Sequence, residues 1–151
     1  MPADSNAIDL ALLAHLRSDA PLATLLPDGV YMDVGPPGAK RFVLVSIVIA
    51  QDVATFGHRA IEHVVYLVKA VMLGSSNGDV HAAAARIDAL LEDGTFSIDG
   101  YGLLSCVREE RVRATEVDSA DPSIRWYHRG GRYRVQATPL DAPTTHAGEL
   151  R

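Results

Sequence analysis

The most extended hydrophobic patterns in the chain predict two neighbouring strands followed by a helix. Residues 42–50 and 61–73 are rich in β-branched and aromatic residues and are apolar on both faces, which predicts strands in the interior of a sheet. Apolar residues then recur at helical spacing over residues 80–91, and Ser76 and Asp79 have the spacing of a capping box. We therefore expect the two strands to pair antiparallel through a long hairpin that leads into a capped amphipathic helix.

The sequence before this hairpin predicts two short helices, a brief strand and a loop. Isoleucine and leucine repeat at helical spacing over residues 8–16, and a second short helix is predicted for residues 21–26, where a proline suits the first turn. Residues 30–32 predict a brief strand. Residues 34–40 contain two prolines and two glycines, so they predict a loop rather than a helix or a central strand.

The last third of the chain predicts short strands joined by tight connections. Residues 95–98 predict a short strand, and residues 103–112 alternate along a longer one. The Asp-, Ser- and Pro-rich residues 117–122 predict a loop. The sequence Arg-Gly-Gly at 129–131 predicts a turn that closes another hairpin, and residues 132–138 alternate as a half-buried closing strand.

These elements predict an α+β fold in a single domain. Its sheet is mostly antiparallel, with the long hairpin and the terminal strands packed against the N-terminal helix and the central amphipathic helix. A chain of 151 residues requires no second domain. We expect the domain to span residues 1–139 and residues 140–151, which lack periodicity, to form a flexible tail.

Composition and charge argue against several classes of protein. The longest apolar stretch, residues 42–50, is far shorter than the roughly 20 residues that cross a bilayer, and the N-terminus lacks a basic and apolar secretion signal, so we expect no membrane association and no export. The single cysteine, Cys106, cannot form an internal disulfide, and we expect it in the core, on the same face of its strand as Leu104. A net charge of -5 argues against a generic nucleic-acid binder.

No pattern of catalytic, cofactor-binding or metal-binding residues stands out. The closest histidine pair, His58 and His63, does not have the spacing of metal ligands. Asp118 and Asp121 could serve as an acid–base pair or bind a divalent cation, but their surroundings are ordinary loop composition. No serine lies in a nucleophile elbow, and the glycines match neither a phosphate loop nor a dinucleotide fingerprint. We therefore predict no catalytic residue, no cofactor and no metal.

Two arginine-rich runs, residues 108–113 and 129–134, are open to three interpretations. They could form a phosphate-binding patch with Trp126, Tyr127 and Tyr133 as stacking partners. They could instead form cross-strand ion pairs with the neighbouring acidic residues, which offset much of the charge and favour this second interpretation. Arginine together with aromatic residues also suits a protein interface.

The order of elements as a whole resembles a known family, the tail-completion or tail-terminator proteins of long-tailed bacteriophages. The resemblance covers about residues 8–138 and rests on a pattern rather than on a motif. Its matching features are the helix Ala11-Leu12-Leu13-Ala14-His15-Leu16 before Val30-Tyr31, Pro36-Pro37 before Phe42-Val43-Leu44-Val45, the strand from Val64 to Leu73, the helix from Asp79 to Leu91, and Arg132-Tyr133-Arg134-Val135.

The resemblance implies a structural virion protein that needs no catalytic residue. It implies a homo-oligomer, a hexameric ring, which assembles in the host cytoplasm and caps the last ring of tail tube protein at the head-proximal end of the tail. Such a ring stops tube growth and joins the head–tail connector or stopper protein, while DNA passes through its lumen without sequence-specific binding. An acidic subunit is compatible with that passage.

The resemblance and the polar loops together identify candidate contact residues. The partner-binding candidates at the hairpin tip and the proline-rich loop are Gln51, Asp52, Thr55, Phe56, His58, Arg59, Lys40 and Arg41. The candidates for the subunit seam are Arg108, Arg111, Arg113, Arg132, Arg134 and Trp126. Two alternatives stay open, namely another ring component of the same particle, such as a head–tail connector, neck or tube subunit, and a small cytoplasmic enzyme with a site built from loops.

Overall fold

The computed structural model describes residues 4–55, 57–74 and 77–140. In these ranges, three helices pack against one face of a five-stranded sheet. The elements are α1 (Asn6–Arg17), α2 (Ala20–Leu25), β1 (Val30–Met32), β2 (Arg41–Thr55), β3 (His58–Gly74), α3 (Gly78–Leu91), β4 (Tyr101–Val117) and β5 (Arg125–Pro139). The predicted α+β fold is confirmed. The tail predicted for residues 140–151 lies outside the described residues except for Leu140.

The sheet has the strand order β1-β2-β3-β5-β4. All neighbouring strands are antiparallel except β1, which runs parallel to β2. The predicted long hairpin is β2 and β3, whose pairing runs from Arg41 with Met72 to Thr55 with His58. Strand β3 has a partner on each side along most of its length, so it lies in the interior of the sheet as predicted.

Each helix buries apolar residues whose spacing in the sequence predicted it. Asp19 is the N-cap residue of helix α2. Its carboxylate accepts a hydrogen bond from the Leu22 amide at 2.9 Å and forms an ion pair with Arg86 of α3. Helix α3 buries Ala83 completely, and this small residue lets the helix approach the sheet closely. Asn77 occupies the N-cap of α3, while the predicted capping partner Ser76 lies outside the described residues.

The second hairpin is formed differently from the prediction. Residues 129–131 do not turn; they lie in the middle of β5, and the connection between β4 and β5 is the loop at residues 118–124. The Gly-Gly pair meets a packing requirement instead, because a Cβ atom on Gly130 would lie 1.8 Å from the carbonyl oxygen of Val68 on β3. Glycine in a strand can therefore mark a close approach between backbones as well as a turn.

Two smaller predictions in this region were also wrong. Residues 95–98 do not form a strand; Ile98 makes only one isolated bridge, with Tyr101. Leu104 does not share a face with Cys106, because the pairing of β4 with β5 shifts between Leu103 and Ser105. This irregularity leaves Leu104 53% exposed while Cys106 is buried as predicted. Alternation in the sequence fails wherever one strand contains an extra residue.

Candidate functional site

The described part of the chain offers little for catalysis. Within it, no group of three or more His, Cys, Asp or Glu side chains is arranged to hold a metal ion. Cys106 is buried, and burial raises the pKa of its thiol to about 12, so it is not poised as a nucleophile. The Asp118 carboxylate accepts hydrogen bonds from loop amides and from the indole of Trp126, and Asp121 accepts from Ser123. Each aspartate therefore stabilises the β4–β5 loop.

The hairpin tip, defined here as residues 51–60, projects beyond the hydrophobic core. It is not a loop, because β2 and β3 stay paired up to Thr55 and His58. Only residues 62–74 of β3 pair with β5. The residue pairs of β2 and β3 beyond Glu62 therefore form a two-stranded extension of about 10 Å. Of its predicted contact residues, Phe56 lies outside the described residues. The others, Gln51, Asp52, Thr55, His58 and Arg59, are all exposed.

A buried carboxylate fixes the base of this extension. Glu62 is only 3% exposed, and its Oε1 accepts a hydrogen bond from the hydroxyl of Ser5, at the start of α1, at 2.5 Å. Arg59 lies 3.5 Å from the same carboxylate and also 3.5 Å from Asp52 across the hairpin. These contacts connect the tip to the helical layer, so its direction relative to the core is set.

Strand β2 carries a row of exposed apolar residues next to the tip and within it. Ile47, Val48, Ile49 and Val53 are 37–48% exposed. The short strand β1 covers only residues 43–45 of β2, and the edge beyond them has no strand partner in the described ranges. Exposed apolar residues on a strand edge are a common feature of surfaces that contact another protein.

The other two predicted contact residues, Lys40 and Arg41, lie at the opposite end of β2. Their backbone amides donate to the carboxylate of Asp28 at 2.8 and 2.9 Å, and these hydrogen bonds lower the pKa of that carboxyl. The Arg41 side chain forms an ion pair with Asp79 in the first turn of α3. Because β2 has 15 residues, this end lies up to about 45 Å from Thr55 at the far end of the strand.

The six predicted seam residues divide between the two faces of the β4–β5 ribbon. Arg108, Arg111 and Arg113 share the helix-bearing face with Tyr133, whereas Arg132, Arg134 and Trp126 lie on the helix-free face. On the helix-free face the guanidinium groups pair across the strands. Arg132 lies 2.9 Å from Glu110, and Arg134 lies 3.5 Å from Glu109. The predicted cross-strand ion pairs are therefore present on this face, and the remaining arginines lie on the other.

On the helix-bearing face, the arginines line a groove between α3 and the β4–β5 ribbon. We call it the arginine groove, with a volume of about 500 Å³. One wall is α3, where Asp88 forms an ion pair with Arg108 at 2.9 Å and accepts a hydrogen bond from the hydroxyl of Tyr133 at 2.8 Å. Burial raises the pKa of Tyr133, which stays protonated as a donor. The groove is lined by His81, Asp88, Arg108, Arg111, Arg113 and Arg129 among others.

Sequence reasoning did not single out two elements of these surfaces. Arg129 was assigned to a turn, but the register places it directly opposite Arg113 in the arginine groove. The exposed residues Ile47–Ile49 were assigned to an interior strand, because their β-branched pattern is the same whether or not a neighbouring strand covers them. Only the shortness of β1, three residues against the fifteen of β2, could have signalled an uncovered edge.

None of the helices in the described residues is long and apolar enough to cross a membrane.

Comparison with known proteins gives one family and a shared fold. The family model described as Tail completion protein gp17 matches residues 10–136. A solved chain from the virion of a native gene transfer agent particle is 22% identical, with a TM-score of 0.62, covering 89% of this chain and 98% of that one. A second solved chain is 16% identical, with a TM-score of 0.51, covering 93% and 98%. No curated protein matches.

Proposed function

This chain belongs to the tail completion protein gp17 family, and from that premise we propose that six copies form a ring at the head-proximal end of a phage-type tail. The protein is a structural component of such a tail. In the proposed role the ring covers the last ring of tail tube protein, stops further growth of the tube and presents its other face to the head–tail connector. It works by shape and contact, without a catalytic step.

The observation that carries this proposal is the separation of two polar ends along one strand. The hairpin tip and the loop before Arg41 lie at opposite ends of β2, a strand up to about 45 Å long. A ring between a tube and a connector must bind unlike partners on its two faces, and a subunit with distinct contact segments at both ends meets that need. The exposed apolar residues beside the tip supply a surface that the subunit's own core does not use.

The net charge of the chain fits the passage of DNA through such a ring. At -5, the subunit repels the phosphate backbone overall, so DNA would meet no broad attractive surface. In the described residues, much of the positive charge is also held by carboxylates, as at Arg41, Arg86 and Arg132. We therefore propose a lumen that lets DNA through without sequence-specific binding.

The test introduces substitutions at the hairpin tip into the gene for this chain and examines the particles that assemble. Replacing residues 54–60 with Asn-Gly keeps the ladder up to the pair of Val53 and Ile61 and closes it with a favoured two-residue turn. A second variant, Val53→Asp, places a charge on the exposed apolar row. Its matched control is Leu104→Asp, which makes the same kind of change at an exposed apolar position on β4.

Electron microscopy of negatively stained particles then measures tail length and the fraction of tails joined to heads. We expect both tip variants to give tails of abnormal length or unjoined tails, and the Leu104→Asp control to give normal particles. Tails of normal length joined to heads in both tip variants would refute the contact role of the tip. Wild-type chains that stack into a continuous tube would refute the terminating role.

A further inference from the structure

The arginine groove holds more positive charge than its own subunit neutralises. Four arginines line it, and Asp88, paired with Arg108, is the only carboxylate among the described residues that line it. In the part of the chain that the structure describes, Arg111, Arg113 and Arg129 have no carboxylate within ion-pair distance. They contrast with Arg132 and Arg134 on the opposite face, each of which has its own glutamate.

The register of the sheet makes this excess charge costly. Arg113 and Arg129 are direct cross-strand partners, and like charges in directly opposite positions destabilise a sheet. Arg111 lies opposite Gly131, which has no side chain to fill the space between them. An anion bound in the groove would relieve the repulsion, and planar guanidinium groups favour carboxylates and phosphates, which they can bind with two parallel hydrogen bonds.

The chain carries a matching acidic segment just beyond the C-terminal end of α3. The connection from α3 to β4 contains Asp93 and Asp99, both exposed and without a cation partner in the described residues. The groove and this connection are therefore unlike surfaces of opposite charge on one subunit. A ring is closed by such head-to-tail contacts, in which one surface of each copy binds a different surface of the next.

We propose that the arginine groove of each subunit binds the carboxylates of the α3–β4 connection of the neighbouring copy. This inference rests on the ring of the proposed function. It identifies the surfaces through which neighbouring subunits of that ring contact each other. It assigns the seam to the helix-bearing side of the ribbon, with Arg111, Arg113 and Arg129 as the contact residues. Duplex DNA is the less favoured occupant, because the chain is acidic overall.

The experiment measures the oligomeric mass of the full chain by native mass spectrometry, alone and with purified tail tube protein. The groove variant is Arg111→Glu/Arg113→Glu, and Arg111→Gln/Arg113→Gln is a milder form that removes charge without reversing it. The control, Arg125→Glu, changes the net charge as much as the milder groove variant but at a residue outside the groove. Thermal melting verifies that every variant is folded.

We expect the wild type and the control to form hexamers and both groove variants to associate at least about tenfold more weakly, as for the loss of charge pairs across an interface. Adding Asp93→Lys and Asp99→Lys to the Arg111→Glu/Arg113→Glu chain should restore the hexamer, because the opposed charges are then exchanged. Folded groove variants that form hexamers as readily as the wild type would overturn the inference and leave the proposed ring intact. A failure of the exchange to restore assembly would overturn the assignment of the acidic partner.

Two further outcomes separate this inference from the proposed function. A wild-type chain that stays monomeric even with added tail tube protein would refute the ring itself, independently of the result for the groove variants. A wild-type chain that shifts a short DNA duplex at physiological salt, with the shift lost in Arg111→Glu/Arg113→Glu, would identify the groove as a nucleic-acid site and overturn its assignment to the seam.

Discussion

Substituting Gly130 with alanine tests whether β5 runs unbroken through the centre of the sheet. Gly130 lies between Lys69 of β3 and Val112 of β4. The added Cβ would lie 1.8 Å from the Val68 carbonyl oxygen and 2.8 Å from the Cα of Lys69. Both atoms belong to the backbone, so no side-chain rotation can relieve the overlap.

The size of the effect follows from the required displacement. Ordinary contact for a Cβ atom begins near 3.4 Å, so the two strands must separate by about 1.6 Å at this point. That is about a third of the normal spacing between neighbouring strands, and it weakens ladder hydrogen bonds around the substitution. We expect the free energy of unfolding to fall by about 3 kcal/mol, the upper end of the range for overpacked interiors. For a domain of this size, the melting temperature should fall by about 6–12 °C.

Urea denaturation followed by circular dichroism measures this change, with Gly78→Ala as the matched control. Gly78 is the first residue of α3, and a Cβ there would meet nothing within 4 Å. The control should leave stability unchanged or raise it by up to about 1 kcal/mol. If Gly130→Ala unfolds within about 0.5 kcal/mol of the wild type, β5 does not pass close to β3 at this position, and the turn predicted for residues 129–131 is the better description.

Three further predictions concern individual side chains. Asp19→Ala should lower the free energy of unfolding by about 1 kcal/mol in urea denaturation, because it removes the cap of α2; the Arg86 ion pair also lowers the pKa of Asp19, so this contribution is lost as the pH falls below about 4. Burial and the nearby Lys69 lower the pKa of His128, so the folded state resists protonation, and stability should fall as the pH drops below about 6.5; His128→Gln should flatten this part of a melting-temperature profile. The Cys106 thiol should react with an aromatic disulfide reagent at pH 8 only after denaturant is added; fast reaction of the native protein would contradict its burial.

The sequence predicted most of the elements because their signals are local. The helical stripe of α3 and the proline at the start of α2 identify a helix without reference to the rest of the chain. The pairing of β2 with β3 was also accessible, since two long apolar strands joined by a short polar segment have few other ways to pair. In contrast, the position of Leu104 depends on a shift of register against β5, which no pattern within β4 reveals.

The candidate surfaces show the same division. The sequence alone determined that the last third of the chain is rich in arginines beside acidic residues, and that the hairpin tip is polar. The tertiary structure decided which arginines have partners: Arg132 and Arg134 meet glutamates across the ribbon, while Arg113 meets Arg129 in the arginine groove. Periodicity assigns a side chain to one of two faces, but the register and the packing of α3 decide what each face contacts, and these depend on residues far apart in the chain.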